Sequence, residues 1–585
     1  MRFFVHLLLF IFITCQVHLF ASGISYGVEF RGLKDPAALN AIKSTSQLTS
    51  LKKHPPASMN ALRYRAESDI PDILKILHSY GYYEATVDVR VEENLGKIFA
   101  IVSIHAGPVY TIEQYKIDLH SVNNDILTLK KMGIVLGCPA LSQRILSSEL
   151  KALEILAECG YPLAEIEKRE VIADGKKKSI SIDLTIKTGP LTYFGNSSIQ
   201  GLREVKERYV FQQLNWVEGD VYDSRLVEST QKTLIDSALF SSVVITHLPS
   251  IDEDSQVGMK IDVIETKHKN INIGVSYQTV FGPGITFGLE NRNVSGMGRK
   301  LSFQGDVTKI SQTGTATYLL PDFRHKDQDL TWQAIAMREN IFAYNDRSYS
   351  ITGRLDSKIR RQLRFSAGAR CERLYVTDSA DNGDFTLIEI PLYVRWSSAN
   401  SLLNPTRGAT LEYRAAPSLN MSKISEYYLY QEISQALYYP LNKSEFLVFA
   451  QNITFGTILS NGLEAVPIPK RFLGGSEEEL RGYRYRTVSP LKGGQPEGGR
   501  SAIYYTFETR FRVSQTIGLV PFFDIGNVYT TPLPKLTGKW FKSTGLGLRY
   551  FSFIGPLRLD VAFPLNRRKG IDPFYRFLVS IGQTF

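Results

Sequence analysis

The second half of the sequence is a series of stretches in which apolar and polar residues alternate, from about residue 268 to residue 585. One stretch reads Leu557, Arg558, Leu559, Asp560, Val561, Ala562 and Phe563. Such stretches run to about ten residues, the length at which a tilted strand crosses a bilayer, whereas strands of soluble sandwiches usually have about five or six. About sixteen of them follow one another, which predicts a 16-stranded antiparallel transmembrane β-barrel over 268–585.

The composition is compatible with a barrel although it resembles that of a soluble protein. Hydrophobic residues make up 43% of the chain and the mean hydropathy is -0.12. A barrel alternates lipid-facing with lumen-facing side chains, so its average polarity is high. After the apolar stretch 3–14, no run approaches the roughly 18 apolar residues that a spanning helix needs. We therefore expect every membrane span to be a strand.

The N-terminus has the pattern of a secretory signal peptide, which we assign to residues 1–23. Arg2 precedes the apolar stretch, and small residues follow at 21–23. Because the export route is oxidising, Cys138 and Cys159 could pair, or both could be small buried side chains.

A repeat of 79 residues organises the first half of the chain, since Tyr82, Tyr161 and Phe240 are spaced 79 residues apart. Each follows a helical pattern and precedes strand-like alternation, and each unit also opens with a strand-like stretch. The order strand, helix, helix, strand, strand predicts three α+β repeats, over 24–107, 108–190 and 191–267.

This order, with the Gly81-Tyr82 and Gly160-Tyr161 turns, resembles POTRA domains, the polypeptide-transport-associated modules of the periplasm. The resemblance implies three POTRA domains at the boundaries given above. A sheet edge in such a module leaves backbone N–H and C=O groups unpaired. An extended client chain can bind there by β-augmentation.

The longest interruption between strands, 458–498, contains Arg481-Gly482-Tyr483. It resembles the Arg-Gly-Tyr/Phe loop of the POTRA-barrel outer-membrane insertase and translocase superfamily, which includes BamA, TamA and the two-partner secretion transporters. The resemblance implies that this extracellular loop folds back into the barrel lumen.

A guanidinium inside a narrow lumen needs carboxylates that accept its hydrogen bonds, because an unpaired buried charge is costly. Strand alternation points Glu508 and Asp524 inward, and Asp524 lies in a sequence that resembles the family's Phe-x-Asp-x-Gly strand. Together with Arg481, Gly482 and Tyr483, these residues are expected to lock the loop to the barrel wall.

The C-terminus is expected to be the last strand, from 575 to 585. Its ending resembles the assembly signal that is read when outer-membrane barrels are inserted, carried here by Tyr575, Phe577, Val579, Ile581 and Phe585. Three repeats in a chain of 585 residues resemble TamA, the barrel subunit of the translocation and assembly module. BamA-type proteins usually carry more repeats, and two-partner transporters fewer.

The resemblance implies an outer-membrane assembly or translocation factor that helps to insert or secrete β-barrel proteins such as autotransporters. Its POTRA domains would lie in the periplasm and bind clients, and a seam between the first and last strands would open into the bilayer. The partners implied are outer-membrane lipid, a TamB-like inner-membrane-anchored periplasmic protein and unfolded β-barrel clients, without nucleic acid. The alternatives are a two-partner-type protein secretion pore and a passive porin.

An enzyme is not expected. Residues 23–27 match the letters of a G-x-S-x-G nucleophile elbow but straddle the expected signal cleavage site. The last histidine is His325, and the sequence holds no H-x-x-x-H pair. We expect no metal and no cofactor.

Overall fold

The computed structural model describes residues 23–120, 126–422, 425–552, 555–581 and 583–585. The expected signal peptide lies outside these ranges except for its last residue. The chain divides into two units. An N-terminal unit runs to Gln200 and includes Gln213–Thr233 and Val243–Asp262, and a barrel unit comprises Gly201–Gln212, Leu234–Ser242 and Val263–Phe585. None of the helices in the described ranges is long and apolar enough to cross a bilayer.

The first repeat is a three-stranded sheet with short helices. Its elements are β1 (Tyr26–Arg31), α1 (Pro36–Thr45), α2 (Gln47–Ser50), α3 (Met59–Ser68), α4 (Ile70–Ser79), β2 (Thr86–Asn94) and β3 (Lys97–His105). The sheet order is β1-β3-β2, with β1 parallel and β2 antiparallel to β3. The described residues therefore contain four helices where two were expected. The buried Asp69 accepts hydrogen bonds from Gln47 N (2.9 Å) and Leu48 N (3.1 Å), which fixes the start of α2.

The second and third repeats share this sheet order. The second contains β4 (Thr111–His120), α5 (Ser142–Glu158), β5 (Glu165–Asp174) and β6 (Ser179–Lys187). The third contains β7 (Tyr193–Gln200), α6 (Glu207–Gln213), α7 (Ser224–Asp236), β8 (Phe240–Ile251) and β9 (Gln256–Glu265). The sheets run β4-β6-β5 and β7-β9-β8, so β5 and β8 are edge strands, as is β2 in the first repeat.

The glycines of the two Gly-Tyr turns join one repeat to the next. Gly81 has φ +88° and its carbonyl accepts a hydrogen bond from Tyr110 N at 2.9 Å. Gly160 has φ +97° and its carbonyl accepts one from Thr192 N, also at 2.9 Å. Only glycine adopts this backbone conformation without strain, so the sequence repeat reflects a repeated joint.

The barrel is one antiparallel sheet. Its strands are β10 (Lys269–Gln278), β11 (Gly282–Val294), β12 (Arg299–Thr308), β13 (Ser311–Leu320), β14 (Gln328–Asn340), β15 (Asn345–Arg360), β16 (Leu363–Thr377), β17 (Gly383–Glu389), β18 (Leu392–Ser397), β19 (Gly408–Asn420), β20 (Glu426–Pro440), β21 (Leu447–Ser460), β24 (Ser501–Arg512), β25 (Ile517–Tyr529), β26 (Phe541–Ser552), β27 (Gly555–Pro564) and β28 (Arg576–Ile581). The short hairpin β22 (Leu491–Lys492) and β23 (Gln495–Pro496) lies in the loop between β21 and β24.

Within the described residues this sheet has 17 strands, but β17 and β18 are two halves of one crossing. They are separated at Ile390 and Pro391, where proline has no N–H to offer the ladder. The barrel thus has 16 crossings, and the predicted fold class of α+β repeats followed by a 16-stranded barrel is confirmed.

The core of the barrel unit lies inside the lumen, between the wall and the long loop. The wall residues Leu374 and Ala502, with Tyr344 of the β14–β15 turn, belong to one buried cluster with the loop residues Ile468 and Val488. The loop therefore supplies apolar surface that an open, water-filled barrel would lack.

The last strand is shorter than expected. It ends at Ile581 instead of continuing to Phe585, and residues 583–585 leave the wall. Gln583 N donates to the carbonyl of Leu403 (3.2 Å), and the Thr584 side chain is buried inside the barrel. The prediction of a strand over 575–585 was wrong because polar groups in the lumen bind this tail more favourably than the lipid face would.

The cysteines in the described residues, Cys138, Cys159 and Cys371, are all free thiols. The pairing of Cys138 with Cys159, one of two alternatives left open by the sequence, is therefore absent from this structure. The other alternative, that both are buried, was also wrong, because Cys159 is exposed and Cys138 is only partly buried.

Within the barrel unit, Glu265 organises the segment that leads into β10. Its carboxylate accepts hydrogen bonds from the backbone N–H groups of Arg203 (2.7 Å), Glu204 (3.1 Å) and Val205 (3.0 Å). Burial works to raise the pKa of Glu265. The three N–H donors and the nearby His268 ring outweigh burial and hold this pKa below its usual range.

We expect Glu265→Ala to speed amide hydrogen exchange of residues 203–205 by roughly tenfold, because an N–H group left without an acceptor costs about 1–3 kcal/mol. Mass-spectrometric exchange on the intact chain measures this, with the exposed Glu253→Ala as the control. Since folding lowers the pKa of Glu265, its stabilisation is present above the unfolded value of about 4.3 and is lost as the pH falls. Unchanged exchange in Glu265→Ala would contradict this role.

Candidate functional site

The backbone of the loop turns sharply where it carries the Arg-Gly-Tyr motif. Leu480 has φ +51° and Gly482 has φ +95°. A Cβ atom on Gly482 would lie 3.2 Å from the backbone of Ala562 and from Cδ of Pro564. Both the positive φ and the close approach to β27 therefore require glycine here.

Arg481 is completely buried in the lumen and makes a bidentate ion pair with Asp524 of β25. Its Nε donates to Oδ2 at 2.9 Å and its Nη2 donates to Oδ1 at 2.7 Å, while its backbone N–H also donates to Oδ2 at 3.0 Å. Nη1 donates to Oε1 of Glu508 on β24 at 2.8 Å. The guanidinium lies 3.5 Å from the centre of the Phe522 ring, a cation–π contact. Planar, charge-assisted hydrogen bonds of this kind are strong, and they also fix the orientation of the guanidinium group relative to the carboxylate.

A third carboxylate, which sequence reasoning did not assign to the site, completes the cluster. Asp560 of β27 accepts from Arg481 Nη1 at 3.2 Å and also pairs with Arg549 and Arg558. The strict alternation of 557–563 places Asp560 on the same face as Arg558, so the sequence does predict that the Asp560 side chain points into the lumen. What the sequence did not indicate was that β27 lies within reach of the loop.

The buried cluster contains several charges of both signs. Among the described residues it holds four guanidinium groups, those of Arg481, Arg510, Arg549 and Arg558, and three carboxylates, those of Glu508, Asp524 and Asp560. The main-chain oxygen of Phe585 also accepts a hydrogen bond from Arg510 Nη2, at 3.4 Å. Thr584 Oγ1 joins the same network, donating to Glu508 at 2.7 Å and accepting from Arg481 at 3.2 Å.

Tyr483 attaches the loop to a neighbouring part of the wall. Its hydroxyl donates to the carbonyl of Lys542 at 2.8 Å and accepts from the backbone N–H groups of Lys542 and Asn566, both at 3.2 Å. Its ring packs edge-on against Phe541, with centroids 5.4 Å apart. The structure thus brings together all five residues that the sequence selected for the loop contact.

A second group of contacts, without a sequence motif, holds the loop nearer the extracellular rim. Arg486 contacts Glu339 of β14 and Tyr344 of the β14–β15 turn, and it donates to the carbonyl of Pro469 at 2.9 Å. Lys470 contacts the Glu372 carboxylate at 2.5 Å. These residues come from separate strands and carry no local signal, which is why sequence reasoning missed them.

The wall has a break in its hydrogen bonding between the first and last strands. Every other pair of neighbouring crossings is joined by a backbone ladder, whereas the described residues of β10 and β28 form none. β10 is exposed along nearly its whole length, and Ile273 and Val275 are 76% and 87% exposed. In the described ranges, no group of three or more His, Cys, Asp and Glu side chains is arranged to hold a metal ion.

Comparison with known proteins assigns the chain to a family. The model of the Omp85 superfamily domain matches residues 293–585, which is half of the chain. The chain belongs to the Omp85 superfamily. As a member, it is an outer-membrane protein with a POTRA-plus-barrel architecture whose N-terminal repeats lie in the periplasm.

Curated relatives of this Omp85 protein include two outer membrane protein assembly factors called BamA. That of Nitratidesulfovibrio vulgaris is 24% identical over 551 residues, which cover 89% of this chain and 68% of that protein. That of Buchnera aphidicola subsp. Acyrthosiphon pisum is 22% identical over 269 residues, which cover 45% of this chain and 40% of that protein. The chain therefore spans about two thirds of the first relative and less than half of the second.

A solved structure shares the fold. BamA from Haemophilus ducreyi lacking POTRA domains 1-3 superposes with a TM-score of 0.71 at 18% identity, covering 80% of this chain and 99% of that one. At this identity the likeness concerns architecture alone.

The residues predicted to form the C-terminal assembly signal divide between two faces. Tyr575, Phe577 and Val579 are exposed on the outer face, by 47%, 49% and 38%. Phe585 lies in the lumen, stacked on Tyr438 at 6.1 Å between ring centres. The side chain of Ile581 lies outside the described residues.

We expect Asp524→Asn to loosen the loop, because removing one charge of a buried pair costs about 3–5 kcal/mol. Limited trypsin digestion of the detergent-solubilised protein measures this as faster cleavage after Arg484 and Arg486. Asp384→Asn, which removes an exposed carboxylate of β17, is the control. Equal protection of the loop in wild type and Asp524→Asn would mean that the ion pair does not hold it.

Proposed function

We propose that this Omp85 protein assists the insertion of other β-barrel proteins into the outer membrane. The proposal is supported by the combination of two features: the loop fills the lumen, and no backbone ladder closes the seam between the first and last strands in the described residues. The loop fills the barrel and is fixed by buried ion pairs, while β10 and β28 share no backbone ladder in the part of the chain that is described. A client strand can then add to an exposed strand edge at the wall.

The fixed loop also argues against an open pore. Leu480, Arg481 and Tyr483 are completely or almost completely buried, and the loop packs a hydrophobic core against the wall. A passive porin would need this volume to be filled with water. We infer that Arg481, Gly482, Tyr483, Glu508 and Asp524 form a lock that keeps the lumen closed while the seam acts.

The three repeats are proposed to be POTRA domains over 24–107, 108–190 and 191–267 that bind extended clients. Each described sheet ends in an edge strand, namely β2, β5 or β8. On β5, Ile172 is 61% exposed, and on β8 Val244 is 48% exposed, so these edges offer apolar side chains beside free backbone groups. Such an edge can pair with an unfolded strand of any sequence, since the main chain provides the hydrogen bonds.

Within the superfamily we propose a TamA-like subtype, because of the three repeats. This subtype implies autotransporters among the clients, a TamB-like periplasmic partner anchored in the inner membrane, and outer-membrane lipid around the seam. The exposed Tyr575, Phe577 and Val579, with Ile581 and the terminal Phe585, are proposed as the assembly signal of the chain itself.

The proposal is tested in liposomes that contain the purified protein, by following the folding of an unfolded, chaperone-held barrel client. We expect wild type to accelerate client folding. Arg481→Ala is expected to reduce the rate by roughly tenfold or more, because at least about 1.4 kcal/mol of positioning is lost. Lys492→Ala removes an exposed cation from the same loop and should act like wild type.

The alternative, a two-partner-type secretion pore, predicts a different result. If the client reaches the vesicle interior and does not fold faster into the membrane, the result would support a secretion pore and contradict an insertion factor. Steady ion conductance of the wild-type protein in a planar bilayer would instead indicate a porin. We expect low conductance that rises in Arg481→Ala, since the loop then no longer closes the lumen.

A further inference from the structure

The outer, lipid-facing side of the barrel carries a groove that the function proposed above does not use. It runs across β12–β16 and has a volume of about 780 Å³. Its sides contain exposed apolar residues, Phe303 at 51% and Ile351 at 62%, and Arg373 also lines it. Its floor consists of small residues: Gly305, Gly314, Ala316, Ala334 and Ala336. Ser350, between Tyr349 and Ile351, is buried toward the lumen, which fixes the groove on the outer face.

The glycines of the floor are not required by packing within the protein. A Cβ atom on Gly305 would have nothing within 4 Å, and one on Gly314 would meet only the carbonyl of Ala336 at 4.0 Å. The two glycines are direct cross-strand partners, and neither has a positive φ. Glycine weakens a strand, and in a strand interior it often marks the close approach of a ligand.

Two arginines face each other above this groove. Arg338 of β14 and Arg347 of β15 are direct cross-strand partners, and both are exposed. Neither forms an ion pair with any of the described residues. Like charges directly opposite each other destabilise a sheet, so a negative group held between them would remove the repulsion.

A second cavity of about 650 Å³ contains this arginine pair and adjoins the groove. Tyr349 lines both cavities. Arg373 of β16 faces the same way and is opposite Tyr349 in the ladder. It already donates to Thr386 Oγ1 at 2.6 Å and lies 3.8 Å from the Asp384 carboxylate. Asp384 thus pairs with Arg373. Asp346 and Asp378 also line the second cavity, but within the described residues neither forms an ion pair with Arg338 or Arg347.

The position of the arginines matches the headgroup level of the outer leaflet. The chain enters the barrel from the periplasm at β10, so β14 ends and β15 begins on the extracellular side. Arg338 lies two residues before the end of β14, and the groove residues Ala334 and Ala336 lie deeper. At about 3.3 Å per residue, the distance from Arg338 to Ala334 is roughly 13 Å along the strand, within reach of one lipid molecule.

We propose that this face binds one anionic, phosphate-bearing lipid of the outer leaflet. Its phosphate lies between Arg338 and Arg347, and an acyl chain fills the groove over Gly305 and Gly314. Guanidinium groups match phosphate geometry and bind it through paired hydrogen bonds. A zwitterionic lipid carries its own cation, so it offsets the charge of the arginine pair less well.

Native mass spectrometry of the full chain in detergent tests the proposal, with phosphatidylglycerol, phosphatidylcholine of the same acyl chains, and inorganic phosphate as separate probes. We expect one phosphatidylglycerol to be retained at least tenfold better than phosphatidylcholine. Arg338→Gln with Arg347→Gln should abolish that preference. Lys535→Gln with Lys539→Gln removes two exposed cations from another extracellular segment and should leave it unchanged.

Gly314→Leu tests the groove separately from the charge, because a Cβ atom at this position would meet only the carbonyl of Ala336, at 4.0 Å. It should lower phosphatidylglycerol retention while the arginine pair is intact, and it stands as the test if the double arginine variant does not fold. Equal retention of both lipids by wild type, or full retention by either variant, would overturn the proposal. Binding of inorganic phosphate that matches the lipid would also overturn it, since the groove would then contribute nothing.

Discussion

The burial of one guanidinium group, that of Arg481, is the constraint on which the rest of the barrel unit depends. A charge removed from water in a protein interior is tolerated only when it is paired and its hydrogen bonds are satisfied. Here three strands each provide a carboxylate, through Glu508, Asp524 and Asp560. Those carboxylates are in turn paired with Arg510, Arg549 and Arg558. The loop, β24, β25, β27 and the C-terminal tail therefore form one electrostatic unit.

This unit explains features of the fold that would otherwise look unrelated. Gly482 is needed because the motif must pass close to the backbone of β27. Residues 583–585 leave the wall because Thr584 Oγ1 and the main-chain oxygen of Phe585 take part in the hydrogen bonds of the cluster. The departure of the tail shortens β28 to Arg576–Ile581, and the same region of the wall lacks a ladder to β10 in the described residues. Closing the lumen and leaving the seam unpaired are thus linked through the same few residues.

The sequence predicted the parts of this arrangement that have a local pattern. Period-two alternation identified the barrel and its 16 crossings, and spacing identified the repeats. The Arg-Gly-Tyr motif, with two inward carboxylates, identified the core of the lumenal cluster. Asp560 and the contacts of Arg486 with Tyr344 were missed because they join strands distant in sequence. The departure of Thr584 and Phe585 was missed because alternation continues to the end of the chain, and only the lumenal partners show that the tail turns inward.

A double-mutant cycle between Arg481 and Asp524, measured as the rate of client folding in liposomes, tests the central claim most directly. If the loop acts through this ion pair, Arg481→Ala and Asp524→Ala combined should be no slower than the slower single variant. The coupling energy would then equal the smaller of the two single effects, which is about 1.4 kcal/mol if that effect is tenfold. Effects that simply add would contradict the account, because the two residues would then act independently and the buried pair would not be the lock.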